Sequence, residues 1–144
     1  MNFNNVVSLP ANQSFSGLEH TAVTIDAATG LVRVAANTDI VIGSVIRGQA
    51  TRIPDGGYVV DVLLKDANGI RYVRVSTGVG QTPVGANAAA PAGTRLAMHA
   101  TDGGYYAPTA AITTGVAAIA LEAIPASSHN SDGKGPGMVR AIVL

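Results

Sequence analysis

The chain has 144 residues, of which 47% are hydrophobic but only 12% charged, and nine basic residues balance nine acidic ones. Soluble domains carry about 25% charged residues, so much of this surface is expected to lie against other protein. The alternative is a neutral monomer with a Thr/Asn/Ser surface. Zero net charge without a basic cluster argues against nucleic acid, and the lack of cysteine excludes disulfides and thiolate metal sites.

One domain of this length buries about 70% of its unfolded surface. Residues 1–18 are rich in Asn, Ser and Gln, with apolar Phe3, Val6, Val7 and Leu9 set singly or in pairs and Pro10 limiting any helix. They read as an extended N-terminal arm ahead of a single β domain over 19–144. The arm is either frayed or ordered by adding a strand to a neighbour's sheet. The first ten residues have neither a basic region nor an apolar core of signal-peptide type, so synthesis in a cytoplasm is expected. No apolar run approaches the roughly 20 residues that span a bilayer.

From Thr21 the pattern is β. Thr21-Ala-Val-Thr-Ile-Asp26 and Gly30-Leu-Val-Arg-Val-Ala35 flank a turn, and a third strand over 39–47 is expected to kink at Gly43. Tyr58-Val-Val-Asp-Val-Leu-Leu64 and Ile70-Arg-Tyr-Val-Arg-Val75 flank Asn68-Gly69, which predicts a tight hairpin. In 70–75 the alternation is weak, as when both faces are covered. Glycines and prolines make 76–93 a loop. Thr94-Arg-Leu-Ala-Met-His99 resumes a strand, Asp102-Gly-Gly104 turns it, and Tyr105-Tyr106 begins the return. The strands over 116–124 and 137–144 enclose a turn-rich loop over 125–136.

An internal repeat runs through this pattern. Thr21-Ala-Val-Thr-Ile-Asp26 lies 73 residues before Thr94-Arg-Leu-Ala-Met-His99, and the glycines at 43 and 115 lie 72 apart. Residues 57–64 match 137–144 at an offset of 80. Two related units, 21–64 and 94–144, are therefore expected. Val116, Ile119, Ala120 and Ile124 also fit a helical face, but the counterpart Ser44-Val-Ile-Arg-Gly-Gln49 is a poor helix former, so 116–124 is read as a strand. The fold class is all-β: a small β-barrel or barrel-like sandwich of short antiparallel strands, internally duplicated.

Chemistry is sparse. His20, His99 and His129 have no metal-ligand spacing and read as lone surface or loop histidines. Asp61 and Glu122 could meet as a carboxylate pair, but a solvent-facing position or an ion pair with Arg74 or Arg140 is the better reading. Gly78-Val-Gly80 lacks the third glycine and the helix of a dinucleotide loop, and no Gly-x-Ser-x-Gly elbow occurs. No enzyme, metal or cofactor is expected.

Three segments carry a resemblance: Ala92-Gly-Thr-Arg-Leu-Ala-Met-His-Ala-Thr-Asp-Gly-Gly-Tyr105, Thr114-Gly-Val-Ala-Ala-Ile-Ala-Leu-Glu-Ala123 and Gly137-Met-Val-Arg-Ala-Ile-Val-Leu144. Together they resemble the small capsid cement, or head decoration, proteins of tailed bacteriophages. The long 125–136 loop and the 65–91 region depart from that pattern. The resemblance implies a barrel-like protein on the capsid exterior, often trimeric, bridging major capsid protein subunits. Phe3, Val6, Val7 and Leu9 are the expected capsid contacts, and deleting residues 1–14 is expected to spare the fold while weakening attachment. The rival reading is a carbohydrate- or receptor-binding module of a head fibre or tail. Its site would be the loops 76–93 and 125–136, near Asp102, Tyr105 and Tyr106.

Overall fold

The computed structural model describes residues 5–49, 57–65, 69–76, 89–100, 102–109, 115–124 and 137–144. Its strands are β1 (Val6–Ala11), β2 (Ala22–Ile25), β3 (Val32–Val34), β4 (Gly43–Gly48), β5 (Tyr58–Leu64), β6 (Ile70–Val75), β7 (Arg95–Met98), β8 (Tyr106–Pro108), β9 (Ala118–Ala120) and β10 (Gly137–Val143). They close into two five-strand barrels, β1-β3-β2-β4-β5 and β10-β6-β8-β7-β9. The protein is therefore all-β and built from a duplicated small barrel.

The duplication extends to individual residue pairs. Val23 faces Val34 and Ile25 faces Val32, just as Leu96 faces Pro108 and Met98 faces Tyr106. Ala22 and Ser44 correspond to Arg95 and Ile119. Gly43 and Leu64 correspond to Ala118 and Val143, and Val6 and Leu63 to Ile70 and Ile142. Each barrel also has one parallel pair, through Ala11 and Val32 in the first and Val75 and Tyr106 in the second. The sheets are mixed, so the expectation of antiparallel strands alone is corrected at β1–β3 and β6–β8.

The same registers correct the repeat. Strands β1 and β6 are counterparts, so the repeated units run over 6–64 and 70–143 rather than starting at 21 and 94. The β5–β10 offset is 79, since Leu63 and Ile142 are equivalent, and Gly43 corresponds to Ala118 rather than to Gly115. A one-residue slip would turn every side chain of the strand to the wrong face.

The expected 58–64/70–75 hairpin does not form. Strand β5 pairs with β1 and β4, and β6 pairs with β10 and β8. Barrel closure takes both edges of each strand, so the segment after Leu64 links two barrels instead of turning a hairpin. Residues 6–11 likewise join their own chain's sheet, with Val6 opposite Leu63 and Ala11 opposite Tyr58. Removing residues 1–14 would therefore open the first barrel. The strand expected over 116–124 is realised in Ala118–Ala120, and Ile124 then bridges to Ala90.

Each barrel has its own core. The first is built on Phe15, Val23, Val32, Val45, Val60 and Val62. In the second, Leu96 and Tyr106 replace the smaller Val23 and Val32, while Ala120 and Ala141 replace Val45 and Val62. Larger residues on one side are offset by smaller ones opposite, which keeps the interior filled without overpacking.

Candidate functional site

Among the described residues, the most elaborate polar structure lies where the barrels meet. Strand β6 carries two arginines, Arg71 and Arg74, only 8% and 6% exposed. Arg71 donates to the carbonyls of Leu63, Leu64 and Lys65, at 3.2, 2.9 and 3.0 Å, where β5 ends. Arg74 donates to the Glu19 and Gly17 carbonyls at 2.7 and 2.9 Å, and its guanidinium lies 5.9 Å from the Tyr105 ring centroid. Guanidinium suits this work because its planar fork serves several acceptors and it is weakly hydrated. The weak alternation of 70–75 does not reflect two covered faces, since Ile70 and Tyr72 are 58% and 47% exposed; it arises because both arginines of the strand are buried.

The β7–β8 turn completes the joint. The Gly104 N–H donates to the Ala35 carbonyl at 2.8 Å, and the Gly104 carbonyl accepts from the Ala22 N–H at 3.1 Å. A Cβ at Gly104 would overlap the Thr21 methyl group, and φ is +79°. His20 also lies at this seam with φ 67°, its ring 5.8 Å from that of Tyr72. Burial lowers its pKa below the usual histidine value, and the nearby Arg74 charge lowers it further against an opposing pull from Glu19.

Behind the turn sits a cluster that superficially suggests catalysis. His99 is 2% exposed, which corrects the reading of it as a surface histidine. Its Nδ1 accepts the Asp102 N–H at 2.9 Å, while the Ser76 hydroxyl donates to the Asp102 carboxylate at 3.1 Å. A nucleophilic serine needs its base on the hydroxyl, yet here the hydroxyl is bonded to the carboxylate. Both Ser76 and His99 thus bond Asp102, in the turn that docks on the first barrel. His129 lies outside the described residues.

The expected ion pairs form with one exchange of partner. Arg140 Nε donates to Glu122 at 2.7 Å, while Asp61 accepts from Arg47 at 2.8 Å rather than from Arg74. These pairs occupy equivalent places with reversed polarity, Arg47 matching Glu122 and Asp61 matching Arg140. Asp61 and Glu122 therefore belong to different barrels and are not a carboxylate pair. The Ser8 hydroxyl and then Arg47 hold Asp61 below the usual carboxylate range, and Arg140 does the same for Glu122.

Two clefts open along the seam. One of about 420 Å³ is lined by Ile40, Lys65, Met98, Val116 and Leu144 among others. The second, of about 280 Å³, includes Glu19, His20, Ile46 and Tyr72. Around them large apolar side chains reach solvent, with Ile40 82%, Ile70 58% and Leu144 53% exposed. Of the expected contact residues, Val7 and Leu9 pack against the first core, and Val6 takes the alternate, outward position on β1. Phe3 lies outside the described residues, as does most of the loops 76–93 and 125–136. Tyr105 and Tyr106 are 9% and 1% exposed, so neither ring offers a sugar a stacking face. Among the described residues no group of three or more acidic or histidine side chains could hold a metal ion.

No family model matches the chain, and no curated protein matches it in sequence. The seam arginines escaped sequence reasoning, although two arginines in an otherwise apolar strand were the available signal.

Proposed function

We propose that the protein is a capsid decoration protein of a tailed bacteriophage. It binds the outside of the assembled head as a homo-oligomer, a trimer by the resemblance of residues 92–144, and bridges major capsid protein subunits. The observation that carries this reading is the pairing of a charge-poor chain with exposed apolar side chains on both barrels, including Ile25, Ile40, Ile70 and Leu144. Such a surface is costly in a free monomer and stabilising once covered. Attachment then rests on many weak, mostly uncharged contacts repeated over a lattice, where multivalency raises avidity without tight single contacts. Burial of Tyr105 and Tyr106 weighs against the carbohydrate-binding alternative.

The test is to titrate purified protein onto expanded heads lacking it. Saturation at a fixed copy number, with heads that then survive higher temperature, supports the assignment. Absent or unsaturable binding to intact heads refutes it.

A further inference from the structure

Inside the chain, the second barrel holds the first by a contact whose two sides are different. The second contributes Arg71, Tyr72, Arg74 and the Gly103–Gly104 turn; the first contributes residues 17–22, Ala35 and the 63–65 carbonyls. Under the register that equates the barrels, the contributing set corresponds to Val7, which packs against the first core, and to Ser8, Pro10 and the turn ending at Gly30. The receiving set has Thr94 and Arg95 among its counterparts. The two sets share no position, so the joint is head-to-tail. Each barrel has used only one of its two faces.

The unused contributing face is open. Ser8, Pro10 and residues 27–30 are exposed. Gly30 has φ +71°, close to the +79° of Gly104, but a Cβ there would meet nothing within 4 Å. On the unused receiving face, Pro91, Ala92, Gly93 and Arg95 are exposed. The charges are complementary, since the first barrel's turn begins at Asp26 and the receiving strand begins at Arg95, where the first barrel has Ala22.

We propose that a second copy of this chain docks the 26–30 turn of its first barrel against the 91–95 edge of the second barrel, repeating between molecules the turn contact of the joint within one, without the counterparts of its two arginines. Because the faces differ, the contact closes only as a ring of copies or continues as a filament. It specifies the self-association part of the proposed function and rests on no contact with a capsid.

The absence of cysteine makes the test direct. Ala28→Cys and Thr94→Cys variants of the full chain are oxidised separately and mixed, without heads. The expected result is a disulfide-linked dimer from the mixture and none from either variant alone. Linkage of Ala28→Cys to itself would show a symmetric contact and overturn the proposal, as would no linkage in the mixture. Arg95→Glu should weaken self-association by about tenfold by light scattering, and Asp26→Lys combined with it should restore the association. Loss without restoration overturns the charge pairing. Head binding by a protein that fails to cross-link would end this proposal while leaving the capsid reading intact. Cross-linking without head binding would do the reverse.

Discussion

Replacing Gly104 and Gly30 by alanine, one at a time, separates backbone strain from docking. Both glycines lie in the left-handed region at equivalent turn positions, so each variant carries about 1–2 kcal/mol for placing an L-residue there. In a single molecule that is the whole cost at Gly30, because the Cβ enters open space, so the two variants are compared at a dilution where copies do not associate. At Gly104 the methyl would overlap the Thr21 methyl and lie 3.1 Å from a Val34 methyl, adding about 1–3 kcal/mol of overpacking. Relief by lifting the turn would forfeit its bonds to Ala35 and Ala22, at about 1 kcal/mol each. Gly104→Ala should therefore destabilise by about 2–5 kcal/mol, a large share of the roughly 5–15 kcal/mol that holds a domain folded. Urea unfolding with unchanged slopes measures the difference through the midpoints. Equal losses in the two variants would refute the docking of the turn.

Arg74→Met should cost about 3 kcal/mol by stranding the Gly17 and Glu19 carbonyls. It should also split a single calorimetric transition into two as the barrels uncouple; an unsplit transition at the original temperature would count against the seam. The reversed polarity of the two ion pairs predicts that Arg47→Glu/Asp61→Arg stays within about 0.5 kcal/mol of the parent, while each single change costs about 0.5–1 kcal/mol. A double-mutant cycle with no coupling would show that the pair contributes nothing. Asp39, Asp61 and Glu122 all have depressed pKa values, chiefly through bonds from Arg33, Ser8 and Arg140 respectively. Their stabilisation is present above the unfolded carboxylate range and lost as pH falls below about 4. His20 is also depressed, so its contribution is present above the unfolded value near 6.5 and lost as pH falls through the lower folded value. His20→Asn, which tolerates positive φ, should flatten stability between pH 7 and 5. An unchanged slope would remove His20 from the acid response.

What the sequence determined by itself was the class of structure and the fact of repetition. Short apolar runs broken by Gly, Pro and Asp turns leave no room for long helices, and equivalent turns at 26–30 and 99–104 betray a copied unit. Local chemistry alone carries that much, because turn residues and strand propensity act within a few positions. Tertiary structure decided the rest. Tyr58–Leu64 is apolar on both faces apart from Asp61, so period-two alternation left its register open by one residue. Only its cross-strand partners, and the reversed ion pairs they form, set the offset at 79 rather than 80. The first strand of each repeat was equally hidden, since Val-Val-Ser-Leu-Pro-Ala and Ile-Arg-Tyr-Val-Arg-Val share no identity in register. Strands β1 and β6 become equivalent through closure, each pairing parallel with one strand and antiparallel with another far along the chain. Arg71 and Arg74 are buried for the same reason: their acceptors are carbonyls of the other barrel, and no pattern within β6 names them.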